Sequence, residues 1–197
     1  MKTLFERNLV EEDANMDKMK KFFEKRTNNH IKAVQDIGKK IYESDPEKFK
    51  GLMELLKVHD ASKFKEPEYT PYLYVTWKYK AKDDGIDFEI PEGMDDKMNE
   101  ATTYHVLNNS HHPEYHAGED SGIINKGDRD KPVRDKVIDG SGMSDVNIAE
   151  MVADWAAVGA ERGNSAKDWA DDNIDTRWEF TPGQTELIYE LIELVEK

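Results

Sequence analysis

Apolar residues recur at offsets of three and four through most of this chain, the period of a helix buried along one face. His30, Val34, Ile37 and Ile41 follow one another this way, and so do Ile148, Met151, Val152, Trp155 and Val158. No strand-rich region and no internal repeat interrupts the pattern, so the expected fold is all-α, a compact helical bundle. At 197 residues the expectation is one domain, 1–197, large enough for a sizeable core.

The helices can be placed from their stripes and punctuation. Residues 8–26 read as an amphipathic helix, and Asn28 or Asn29 as a cap for a second helix over 29–43. Ser44-Asp45-Pro46 ends that helix and opens a third, whose buried face carries Phe49, Leu52, Met53, Leu55, Leu56 and His59. Lys63 follows His59 by four residues and shares its face if the helix continues that far. Thr70-Pro71 starts an aromatic helix with Tyr72, Leu73, Tyr74, Trp77 and Tyr79, to be read as core packing or as a stacking wall.

Residues 81–93 form a surface loop, and a helix returns over 94–112. On that helix His105, Asn109 and His112 share a face, while Pro113 biases His112 away from helical geometry. The stretch 117–145 lacks apolar periodicity and holds five glycines, which predicts a long functional or mobile loop. Its Lys126, Arg129, Lys131, Arg134 and Lys136 are either a phosphate-neutralising segment or part of a solvated mixed-charge loop. A helix over 145–161 is capped by Ser144 or Asp145. A short helix with solvated Asp168, Asp171 and Asp172 follows, and Thr181-Pro182-Gly183-Gln184 opens the last one.

Composition narrows the function. The net charge of -14 repels nucleic acid and anionic membranes and disfavours anionic substrates unless metal or local cations reverse it. The absence of cysteine removes disulfides, thiolate metal sites and cysteine nucleophiles. With no signal-like opening and no run of about 18 apolar residues, a cytoplasmic location is expected.

Against this background the polar residues on apolar helical faces stand out: His30, His59, Asp60, His105, His111 or His112, and Asp154. Imidazole and carboxylate suit zinc, iron and manganese. Burying so many titratable groups without partners is costly. Asp154 alone would equally suit a bond to a tryptophan N–H.

The order His30, His59-Asp60, Asp154 resembles the HD-domain superfamily of metal-dependent phosphohydrolases. The strings His-Asp-Ala-Ser-Lys-Phe and Asn-Asn-Ser-His-His-Pro-Glu-Tyr are also similar to small phage and bacterial proteins without assigned function. The resemblance covers about residues 28–170. It implies one divalent ion held by His30, His59, Asp60 and Asp154, and a second held by His105 with His111 or His112, the helical spacing favouring His112. The ions are drawn from Mn, Fe, Co, Ni, Zn or Mg. Asp60 would also orient the attacking water, and Lys63 would neutralise phosphate, with Arg129 and Arg134 as further substrate contacts. Many nucleotidase members carry glutamate where Lys63 stands, and the glycine-tyrosine-proline motif of one dinuclear phosphodiesterase branch is absent. Glu114 and His116 are second-layer candidates.

The expected function is hydrolysis of a nucleotide or related small phosphate ester by metal-activated water. The alternatives are an HD-type diiron oxygenase and a non-catalytic, metal-stabilised nucleotide-binding protein. The expected partner is a small phosphorylated substrate, with no membrane and no extended nucleic-acid face; a homodimer stays open.

Overall fold

A computed structural model describes residues 4–123, 127 and 137–197, with side chains from residue 15 onward. Lys126, Arg129, Lys131, Arg134 and Lys136 lie outside the described residues, and with them the substrate contacts expected of Arg129 and Arg134. Among the described residues eight α-helices dominate, and the only strands are two residues long each. The all-α expectation holds.

The first helix, α1, runs unbroken from Leu4 to Ser44, where two helices were expected. Its sequence holds no proline. Asn28 caps nothing, because its amide Nδ2 donates to the Glu24 carbonyl within the same helix. After Ser44 the chain turns before entering a short α2, Leu52–Val58, rather than starting a helix at Pro46. Asp45 Oδ1 accepts from Lys48 N inside that turn, and Gly51 leaves it with a positive φ of 99°. Gly38 lets α2 lie against α1, since a Cβ there would sit 2.6 Å from Leu56 Cδ1.

A 3-10 turn, Ala61–Phe64, leads to α3, Tyr69–Asp83, and α4, Met94–Asn108. Pro113 begins the short α5, Pro113–Ala117. The segment after it is less bare than its sequence suggests. It contains a 3-10 turn, Gly118–Ser121, and a strand β1, Ile138–Asp139, that pairs in parallel with β2, Trp178–Glu179. Ile123, Ile138 and Met143 from this stretch are buried in the core.

α6, Asp145–Arg162, is capped by Ser144, whose side chain accepts from Asn147 N. α7 spans Ala166–Asn173, and its acidic residues Asp168, Asp171 and Asp172 are exposed as expected. α8, Pro182–Val195, opens with a reciprocal capping box between Thr181 and Gln184.

Two apolar clusters hold these elements together. The larger one joins the faces of α1, α2, α6 and α8 through Val34, Ile41, Leu56, Ile148, Val152 and Ile188. The smaller one packs Met19 and Phe23 of α1 against Leu73, with Phe64, Tyr69, Tyr72 and Trp77 around them. Part of the aromatic run of α3 therefore packs in this cluster, whereas Tyr79 is 52 % exposed. Along the α1–α6 contact, His30 meets Asp154 and Arg26 meets Glu161, so the two helices run antiparallel. The polar cluster lies where α1, α2, α4 and α6 converge.

Candidate metal centre

α2 ends at Val58, so His59 and Asp60 stand just beyond it. His59 leaves the helix at φ -49°, ψ 127°, and Asp60 takes a left-handed conformation, φ 58°. On a continuous helix two adjacent side chains would diverge by about 100°. The turn instead sends both to the same place. A positive φ at a non-glycine residue is uncommon, although aspartate tolerates it better than most. Lys63 does not share a helical face with His59. On the 3-10 turn its Nζ lies 2.6 Å from Asp60 Oδ2.

The histidines after α4 come together for a similar reason. α4 stops at Asn108, and His112 before Pro113 is extended at φ -104°, ψ 133°. His105, His111 and His112 then offer ring nitrogens within 4.8 Å of one another. Helical spacing had favoured His112 over His111; the turn brings both. Asn109 Nδ2 donates to the His105 carbonyl at 2.8 Å and also lies 3.3 Å from Ser62 Oγ, tying the 3-10 turn to the end of α4.

Asp60, 1 % exposed, is the hub of the cluster. Its Oδ2 lies 3.4 Å from His30 Nε2 and 3.9 Å from His59 Nε2. Asp154 Oδ1 completes that set, 3.1 Å from His30 Nε2 and 3.9 Å from His59 Nε2. The other oxygen of Asp60, Oδ1, faces the second set, 3.2 Å from His105 Nε2 and 4.0 Å from His111 Nε2. Asp154 therefore turns to histidines rather than to a tryptophan N–H.

The atoms facing inward fit a cation. His59 Nε2, Asp60 Oδ1, His111 Nε2 and His112 Nε2 are buried with no hydrogen-bond partner among the described residues. Orphaned buried polar atoms are costly. They make sense as lone pairs aimed at cations, that of His59 beside His30 and Asp60, and those of His111 and His112 beside His105. Ligands about 2.1 Å from one ion lie about 3.0–3.4 Å apart, close to the spacings around Asp60.

The opposite ring nitrogens are held by carboxylates that the sequence reading did not single out. Glu68, fully buried, takes His105 Nδ1 at 2.7 Å. Glu150, one turn before Asp154 on α6, takes His59 Nδ1 at 2.9 Å. A carboxylate on Nδ1 fixes the tautomer that presents Nε2 to a metal. Glu114 and His116 lie elsewhere in the network: Glu114 accepts from Trp178 Nε1, and His116 Nε2 is 2.9 Å from the Ser110 carbonyl.

The electrostatics divide the histidines. Burial opposes a charge on His30, but Asp154 and Asp60 outweigh it and raise its pKa to about 9. Burial, with the neighbouring histidines, pushes His111 and His112 well below the ordinary range, so both are neutral, the form that binds metal. Burial favours a neutral Asp60, yet Lys63 and His59 keep it ionised well below the usual carboxylate range. Lys63 is raised despite its burial, chiefly by Asp60, and stays a cation.

The chain belongs to a family of unknown function, DUF5662, whose model matches residues 19–194. The matched span includes every member of the cluster, from His30 to Asp154. No curated protein and no solved structure matches the chain. No helix among the described residues is long and apolar enough to cross a membrane. The structure thus brings together buried His, Asp and Glu groups able to hold a metal ion.

Proposed function

We propose that this protein is a metal-dependent phosphohydrolase acting on a nucleotide or related small phosphate ester, with the ligand order and helical frame of the HD-domain superfamily. The observation that carries the reading is Asp60, which turns one oxygen to His30 and His59, both also met by Asp154, and the other to His105 and His111. Two ion positions sharing this carboxylate account for the buried, unpartnered nitrogens on either side of it. In this reading His30, His59, Asp60 and Asp154 hold one ion, and Asp60, His105, His111 and His112 hold the other.

A divalent pair there would polarise a phosphoryl oxygen and make an acidified water available near neutral pH. The chain's own groups supply the rest. The side chains of His30, Asp154 and Lys63 are 13, 16 and 19 % exposed, whereas His105 and His111 are 5 and 3 %. Substrate approaches on the first side, over His30 and Asp154. Lys63 stands at that rim as a fixed cation, its Nζ 5.3 Å from the Tyr72 ring centroid, and neutralises a phosphate oxygen. In a chain of net charge -14 such local positive charge is what an anionic substrate requires. Asp60 orients the attacking water.

The test is phosphate release from a nucleotide panel by the metal-loaded chain, repeated under nitrogen. Release that persists without oxygen supports hydrolysis. Oxygen consumption without phosphate release would favour the oxygenase chemistry open to the same ligand set, and stoichiometric nucleotide retention without turnover would favour a binding protein.

A further inference from the structure

We infer that Glu150 is a positioning residue that couples the two ion positions, one of its carboxylate oxygens bonded to a histidine of the first and lying against a histidine of the second. The inference rests on the two-ion reading above. Glu150 is 3 % exposed on an otherwise apolar stretch of α6. Its Oε1 lies 2.9 Å from His59 Nδ1 and 3.6 Å from His111 Nδ1. His59 belongs to the first set and His111 to the second, and their rings are 4.4 Å apart at the centroids. Glu68 provides the contrast, because its histidine contact is with His105 alone, at 2.7 Å.

His59, His111 and Glu150 could be taken for a metal trio in their own right. That arrangement would use the Nδ1 side of both rings. It would leave His59 Nε2 and His111 Nε2 buried without a partner, at the expense of the Asp60 sets. Glu150 is better placed behind the rings. There it accepts from His59 Nδ1–H, fixing that tautomer and raising the basicity of its Nε2, and lies 3.6 Å from His111 Nδ1. Because the oxygen bonded to His59 also lies against the His111 ring, a shift of His59 on filling the first position changes the surroundings of His111 at the second.

The experiment is a cobalt(II) titration of the full chain, followed by its visible absorption and by metal analysis after desalting. Wild type is expected to take two equivalents. Glu68→Met weakens one of them by roughly 10–100-fold, the usual cost of losing an outer carboxylate. Glu150→Met weakens both, the position of His59 by the same order and that of His111 by less. Glu150→Gln recovers part of each, since its amide oxygen still accepts from Nδ1–H. Circular dichroism of the metal-free variants checks that they fold, and if Glu150→Met does not, Glu150→Gln decides by its effect on both equivalents. A Glu150 variant that folds and changes only one equivalent, or neither, overturns the inference while leaving the two-ion reading intact. A wild-type chain that binds no cobalt removes that reading first.

Discussion

His30 Nε2 lies 3.1 Å from Asp154 Oδ1, closing the rim of the polar cluster between α1 and α6. In the metal-free chain this contact makes stability depend on pH from both directions. The His30 pKa is raised from 6.5 to about 9, so its contribution is complete below about pH 6.5 and lost as the pH rises through 9. Burial opposes the Asp154 charge, but His30 lowers its pKa below 3.8. Its contribution is complete above about pH 4 and lost as the pH falls further. Burial also keeps His111 and His112 neutral, which costs stability as the pH falls below 6.5, so thermal melts of chelated protein should peak near pH 6.5 and decline on both sides. With saturating metal the fall above pH 6.5 should vanish, because the ion replaces the His30 proton. An identical decline with and without metal would separate His30 from the ion.

Lys63 should matter to substrate and not to metal. Lys63→Ala removes the cation that sits 2.6 Å from Asp60 Oδ2 and leaves every proposed ligand in place. Loss of a charge-assisted bond of about 1.5–3 kcal/mol predicts a fall in kcat/KM of roughly 10–100-fold. Metal content should be unchanged. Steady-state kinetics on a phosphate substrate checks this, and a wild-type rate would remove the role.

Chelation should lower the melting temperature. An ion present at about 100 times its dissociation constant stabilises the folded state by about 2.7 kcal/mol, or about 5–10 °C for a chain of this size. Differential scanning calorimetry with and without a chelator measures it. Coincident melts would mean that the ligands gain nothing from an ion.

Gly159→Ala should destabilise the chain without affecting the centre. A Cβ at Gly159 would stand 2.8 Å from the Asn164 carbonyl oxygen, a backbone atom of the corner between α6 and α7. The helix-propensity gain of about 1 kcal/mol is set against an overpacking cost of typically 1–3 kcal/mol. A lower melting temperature with unchanged metal stoichiometry is expected.

Much of this architecture can be read in the residues, because helical stripes and polar intruders are local signals. His30 on the stripe of Val34 and Ile41, and Asp154 among Val152 and Trp155, both announce themselves in this way. What depended on tertiary contacts was harder to see. The break at Asp60 follows from a left-handed turn that no glycine marks. The joint presence of His111 and His112 follows from an extended residue before Pro113.

Glu68 carried no signal in the sequence, yet it is completely buried just before α3. Glu150 carried a usable signal, since it precedes Asp154 by four residues on the same apolar helix, but one carboxylate among so many acidic residues did not stand out. The unbroken α1 was missed because Asn28 and Asn29 resemble caps, when nothing nearby stops the helix.

The most direct measurement is elemental metal analysis of the purified full chain beside Asp60→Asn, a substitution that keeps the size and tolerates the left-handed turn. Two equivalents of divalent metal per wild-type chain, with loss at both positions in Asp60→Asn, is the predicted result. Equal metal content in the two proteins, or none in either, would contradict a centre built around Asp60.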